Sequence, residues 1–407
     1  MIGDDTVTEL MLHIGTRKTG TSFLQQVLMD NTDTLRQAGW WQPDFIDQLN
    51  KYPLVLPFTD DRKSPDHHAF GAMDQAGAQA LAVSLGEQIQ SRLEPSQRWI
   101  ISSESAGSRV VSDESVGAFL DYLAEYFTKI TAVVYLRRQD FLVPSMYSQH
   151  VKEGVASGLS WTYCERRMVQ LEHGELCQRW MRRLGPDNVR VRPYLEAYKA
   201  NSKLLLDDFI ATVGLPPDLG TRQPTGKRVN AGLSVEAAAF LLAINAALRT
   251  EAAQAGMPRW QMRHLFLGVM APILGELAPG PSIKIKPTLG DQIRSYFRTQ
   301  NEQLVSTLGD NAEWRTWLDQ PAGDATDPRD LQPMLSQIAN GRVAELLVDL
   351  AGADEFFTAR RIASILSRLA DPAGPVVVDL RAPDAHPMRP TKSAVQRALR
   401  RLPRQRG

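Results

Sequence analysis

"LMLHIGTRKTGTSFLQQVL", residues 10–28, passes from an apolar run through a glycine and a basic pair into "KTGTS", which opens a helical pattern. The glycines at 15 and 20 have the G-x-x-x-x-G spacing of a nucleotide phosphate loop, in which lysine follows the second glycine. Here Thr21 stands in that place, and the lysine is Lys18. A strand, a tight loop and a helix in this order turn backbone N–H groups at the helix N-terminus toward an anion. Gly20 permits the turn, Thr19, Thr21 and Ser22 offer hydroxyls, and Lys18 offers a point charge. The displaced lysine, and the lack of a convincing strand ending in a magnesium-binding Asp, disfavour ATP or GTP hydrolysis. A nucleotide kinase or NTPase is therefore the alternative reading, together with a non-catalytic nucleotide-binding scaffold.

Three further runs read as buried strands by their β-branched and aliphatic content: "RWIISS" (98–103), "KITAVVYL" (129–136) and "NVRVRPY" (188–194). With "ELMLHI" (9–14) they alternate with helical patterns, which predicts a P-loop-like central parallel sheet flanked by helices, with a helix-rich C-terminal portion. Residues 36–75 read as a long irregular connection, of the kind that is functional or mobile. Helices are expected over 233–249, 260–277, 290–307, 333–351 and 355–369. "QPAGDATDPRD", near 320–332, has linker composition, so the expected division is one domain over 1–320, with its core at 8–235 and a helical part at 236–320, and an extension over 333–407.

The 407 residues carry 46 Lys+Arg against 46 Asp+Glu, so no global field recruits nucleic acid. No apolar window reaches the roughly 18 residues of a membrane span. The acidic start "MIGDDTVTEL" is unlike a signal peptide, and only two cysteines, Cys164 and Cys177, suit a reducing cytoplasm, although one disulfide stays open. The tail "MRPTKSAVQRALRRLPRQRG" has seven Lys/Arg and no acid. It reads either as a solvated terminus or as a peripheral contact for an anionic membrane surface.

"RKTGTS" (17–22) resembles the 5′-phosphosulfate loop of the sulfotransferases that use 3′-phosphoadenosine 5′-phosphosulfate (PAPS), P-K-[ST]-G-[ST]-[ST], with Arg17 in place of the proline. In that superfamily a strand-end Arg and a Ser eight residues later hold the 3′-phosphate, and "YLRRQDFLVPSMYSQ" offers Arg137 and Ser145 at that spacing, with Arg137 favoured over Arg138. "VRPYLEAYKAN" resembles the segment whose Tyr lies near the adenine, here Tyr194, and "GKRVNAGLS" resembles the basic loop over the 3′-phosphate, making Lys227 and Arg228 candidates. Phe23 stands where the family often has Trp and is a candidate to stack on the purine or to join the core. The combination of "HIGTRKTGTSFLQ", "ISSE" and "VRPY" looks like bacterial carbohydrate-type sulfotransferases.

The resemblance implies PAPS as co-substrate, sulfation of a carbohydrate or glycolipid hydroxyl, and no metal. Lys18 would neutralise charge on the leaving phosphate. The base would be Glu104, at the end of the second strand in "RWIISSES", or His67 or His68 in "SPDHHAFGAM". His13, in the first strand, reads as a packed residue. The helix-rich C-terminal half also leaves a homodimer interface open.

Overall fold

Side chains along the strands alternate between two cores. Leu10, Leu12 and Ile14 join one cluster with Trp99, Ile101, Ala132, Val134 and Leu136, while Met11, Ile100, Val133 and Tyr135 join the other. A strand that buries both faces reads as an almost unbroken apolar run, and this is the pattern of a parallel sheet covered on both sides. The computed structural model describes residues 7–321, apart from 61–66, 68–69, 73, 156, 222–232 and most of 235–282.

The sheet has five parallel strands, β1 (Glu9–Ile14), β2 (Trp40–Trp41), β3 (Arg98–Ser103), β4 (Lys129–Arg137) and β5 (Val189–Tyr194), in the order β2-β3-β1-β4-β5. Four are the strands expected from sequence. The edge strand β2 was not anticipated: two residues give no periodicity, and Trp40 owes its place to packing and to the Arg98 guanidinium stacked 4.7 Å from its ring. The helices that matter for the site are α1 (Thr21–Asp30), α2 (Glu104–Arg109), α3 (Gln139–Lys152), α4 (Glu196–Ala200), α5 (Ser202–Val213) and α6 (Ala312–Asp319). The helix expected over 290–307 is Pro287–Leu308. Those expected at 260–277, 333–351 and 355–369, and most of 233–249, lie outside the described residues.

Compactness divides the chain into two interleaved units. The first takes in Met1–Leu142, Cys164–Val229 and Gly290–Ala322, and contains the whole sheet. The second takes in Val143–Tyr163, Asn230–Leu289 and Gly323–Gly407. Within it, Asn245 Nδ2 donates to the carbonyls of Val151 (2.9 Å) and Val155 (2.8 Å), and the Leu233 N–H donates to Ser148 Oγ at 3.0 Å. Cys164 and Cys177 are free, buried thiols. No helix among the described residues is long and apolar enough to cross a membrane.

Two histidines sit in the sheet's core. His13 Nδ1 is 2.8 Å from Ser102 Oγ, and its ring meets Phe209 and Tyr135; His173 Nε2 donates to the Arg137 carbonyl at 2.8 Å. Burial pushes them down to about 3 and about 4, the bond to the carbonyl partly opposing this at His173. A depressed histidine lets the unfolded chain take protons first, so this stability is whole above the unfolded value near 6.5 and falls as the pH drops toward the folded ones. The expected loss is roughly 2 kcal/mol per histidine by pH 5, measured by urea unfolding. His173→Gln, whose amide still donates to the carbonyl, should lose less between pH 7 and 5, whereas equal slopes for the two proteins would contradict this origin.

Candidate active site

The C-terminal ends of β1, β3, β4 and β5 lie side by side, because Ile14 pairs with Ser103, His13 with Val133 and Arg137 with Tyr194. Ligands of open parallel sheets bind at such an edge, where the strand order switches. The loops and helix starts that leave these strands therefore form one cluster.

After β1 the chain folds into a tight loop. The Gly15 N–H donates to the Ser103 carbonyl at 3.1 Å, and Thr16 Oγ1 donates to the Tyr135 carbonyl at 2.6 Å. Thr19 Oγ1 donates to the Thr16 carbonyl at 2.8 Å, and Thr21 Oγ1 to the same oxygen at 3.4 Å. Both threonines are buried. Their hydroxyls thus close the loop on itself, both reaching the Thr16 carbonyl just past the end of β1. Ser22 stays half-buried in the first turn of α1.

The loop's backbone carries strain. Lys18 has φ 63°, a left-handed conformation that costs a non-glycine residue about 1–2 kcal/mol. Gly20, at φ 77°, caps α1 without a side-chain bond, and a Cβ there would stand 2.4 Å from Leu205 Cδ2. The Gly20 carbonyl accepts from Phe23 (2.9 Å) and Leu24 (3.1 Å). The N–H groups of Thr21 and Ser22 precede those bonds, and first-turn donors of this kind have no acceptor within the helix.

At the end of β4, Arg137 turns to this loop. Its Nη1 donates to the Lys18 carbonyl at 3.3 Å, while Nε and Nη2 grip the Glu196 carboxylate at 2.7 and 2.8 Å. The guanidinium lies 5.5 Å from the ring centre of Tyr194, which is buried against Tyr198. Burial raises the Tyr194 hydroxyl, and the Arg137 charge works against that rise. Arg138 goes elsewhere: it pairs with Asp140 and holds the carbonyls of Trp317 and Leu318 at the end of α6. Adjacent arginines therefore have separate roles, one at the loop and one as a helix C-cap.

Glu104 begins α2 immediately after β3, half-buried, with its Cα 3.2 Å from where a Gly15 Cβ would be. His67 is fully buried, with Nε2 2.8 Å from Thr59 Oγ1; His68, Lys227 and Arg228 lie outside the described residues. Ser145 is a half-buried residue of α3 in the second unit. Phe23, on α1, packs partly buried against the core that contains Tyr194 and Leu205. Sequence reading missed Glu196, although an acid two residues past one strand end, facing an arginine at the neighbouring strand end, was there to be found in "VRPYLEAYKAN".

No protein-family model and no curated protein matches the chain. Two solved structures are similar to it. One is a sulfotransferase from Alicyclobacillus acidocaldarius, at 11% identity and a TM-score of 0.41, over 77% of this chain and 100% of that one. The other is the sulfotransferase domain of the Synechococcus PCC 7002 olefin synthase, at 14% identity and a TM-score of 0.28, over 57% of this chain and 82% of that one. Likeness of that degree leaves the function to be argued from the residues themselves.

The two left-handed positions of the loop should respond unequally in urea unfolding. Gly20→Ala should cost about 1–2 kcal/mol from backbone alone, and more from the clash with Leu205. Lys18→Gly relieves strain while loosening the unfolded chain by about 0.4–1 kcal/mol, so its stability should stay within about 1 kcal/mol of wild type. Equal destabilisation by both would contradict the loop geometry.

Proposed function

We propose that this chain is a sulfotransferase that moves a sulfuryl group from PAPS to a hydroxyl of a carbohydrate or glycolipid acceptor. The observation that carries this reading is the junction of Arg137 with the Lys18 loop at one sheet edge, where two anion-binding devices from separate strands meet. A nucleotide phosphorylated at both its 3′ and 5′ ends needs such a pair.

The residues fit that ligand. The uncapped first turn of α1 supplies N–H donors for a 5′-phosphosulfate, and Lys18 supplies charge beside it. Among the described residues, Arg137 has three of its five N–H donors engaged, so two are left for a 3′-phosphate without releasing Glu196. Tyr194 forms the wall between these groups, with Arg137 against its face and Gly20 at its edge. The donor brings a sulfuryl group on a phosphate leaving group.

Chemistry at this site is one of alignment and charge. The acceptor oxygen forms a bond to sulfur in line with the sulfur–oxygen bond that breaks, and the hydroxyl proton passes to the Glu104 carboxylate. Lys18 balances the negative charge that collects on the departing phosphate oxygen, the kind of preorganised stabilisation that costs no rearrangement at the moment of reaction. Positive φ at Lys18 fits this role, because a side chain is kept where glycine would be easier for the backbone. Glu104 is preferred over His67 as base because His67 is buried and bonded to Thr59. The acceptor class rests on the resemblance of the strand-end motifs alone.

Label should pass from radioactive PAPS into a hydroxyl compound of a fractionated extract, and the transfer should survive EDTA. Lys18→Ala should lower the rate about 100-fold, as loss of one oxyanion donor does elsewhere. Arg137→Ala should weaken adenosine 3′,5′-bisphosphate about 10–100-fold in calorimetry, in line with loss of charge-assisted bonds. Wild-type affinity in Arg137→Ala, or transfer abolished by EDTA, would contradict the reading.

A further inference from the structure

The helix that carries Glu104 is held from outside by the long connection of residues 36–75, through a residue that the sequence pattern does not single out. Ser103 stands at the N-cap of α2 but makes no side-chain cap bond. The cap comes instead from Asn50, in the long connection between β2 and β3. Asn50 Oδ1 accepts the Glu104 N–H at 2.7 Å, and it also lies 3.3 Å from Ser103 Oγ and 3.4 Å from Gln25 Nε2. Its Nδ2 donates to Ser105 Oγ at 3.0 Å. Gln25 belongs to α1, the helix whose first turn faces the phosphate loop, and also donates to the Ser102 carbonyl at 3.1 Å. One carboxamide thus joins the end of β3, the start of α2 and the anion-binding helix.

The connection is built to hold that amide still. Lys51 has φ 42° and is buried, with Nζ donating to the Ile46 carbonyl at 2.8 Å and its N–H to Gln48 at 3.0 Å. At the far end of α2, Arg109 stacks 4.6 Å from the Tyr52 ring and bonds its hydroxyl. Residues 50 and 52 therefore grip the two ends of a single short helix, six residues long, whose first residue is Glu104.

We infer that Asn50 is the positioning residue for Glu104. By accepting the Glu104 N–H it fixes the Cα from which the carboxylate projects, beside Gly15 and the phosphate loop. This rests on the reading of Glu104 as the base. An N–H at the first position of a helix has no acceptor in its own helix, so without Asn50 it turns to solvent and the carboxylate's root loosens. A shift of about 1 Å in a reacting group can cost on the order of 100-fold in rate.

The test uses the full chain, with kcat and KM for labelled-sulfate transfer from PAPS to mixed hexoses, adenosine 3′,5′-bisphosphate affinity by calorimetry, and melting temperature. Asn50→Ala should lower kcat about 10–100-fold while leaving nucleotide affinity within about twofold. Asn50→Asp keeps an oxygen for the Glu104 N–H and should recover most of the lost kcat. Asn50→Ser, which is too short to reach, should behave as Asn50→Ala and serves if the alanine variant does not fold. An unchanged kcat in Asn50→Ala or Asn50→Ser overturns the inference. So does a parallel fall of kcat, affinity and melting temperature that Asn50→Asp does not rescue. Full turnover by Glu104→Gln is a different failure: it removes the base itself, and the inference falls with it, whatever the Asn50 variants do.

Discussion

A buried guanidinium bonded to a backbone carbonyl 119 positions away in sequence holds this site together: Arg137 reaches the carbonyl of Lys18 from the next strand end. A charge so buried is costly unless it is paired and its hydrogen bonds are met. Glu196 supplies the pair through two parallel bonds, and the Lys18 carbonyl takes a third donor. The same contact anchors a loop whose backbone is otherwise in an unfavourable conformation. The arginine's needs and the loop's strain are therefore met by one arrangement.

Everything else at the site derives from parallel pairing. Strands in register deliver their C-terminal ends to one edge, so Gly15, Glu104, Arg137 and Tyr194 become neighbours although they span most of the first unit's sequence. The small residues reinforce this closeness. A Cβ on Gly107 would lie 2.6 Å from the Gly15 carbonyl oxygen, so α2 approaches the loop to backbone contact. Glu104, the first residue of that helix, is equally close, its Cα 3.2 Å from where a Gly15 Cβ would stand.

The sheet was legible in the sequence because both of its faces are buried, and continuous aliphatic runs such as "KITAVVYL" have few other homes. The tight turn between β1 and α1 was legible from its glycine and its strand-to-helix setting. The direction of its hydroxyls was not, since a threonine that serves an anion and one that serves the Thr16 carbonyl look alike in a string of letters. The same holds for His67, which the sequence offers as a loop histidine and the fold buries against Thr59. Glu196 and Asn50 have partners 59 and 54 positions away, brought near by the register of β4 with β5 in the first case and by the path of the long connection after β2 in the second.

The measurement closest to the centre of this account is a crystal structure with adenosine 3′,5′-bisphosphate bound. The account predicts the 5′-phosphate on the N–H groups of Thr21 and Ser22 beside Lys18, and the 3′-phosphate on the two remaining donors of Arg137, with Glu196 still in its pair. A nucleotide bound away from either group, or a 3′-phosphate that never meets Arg137, would contradict it.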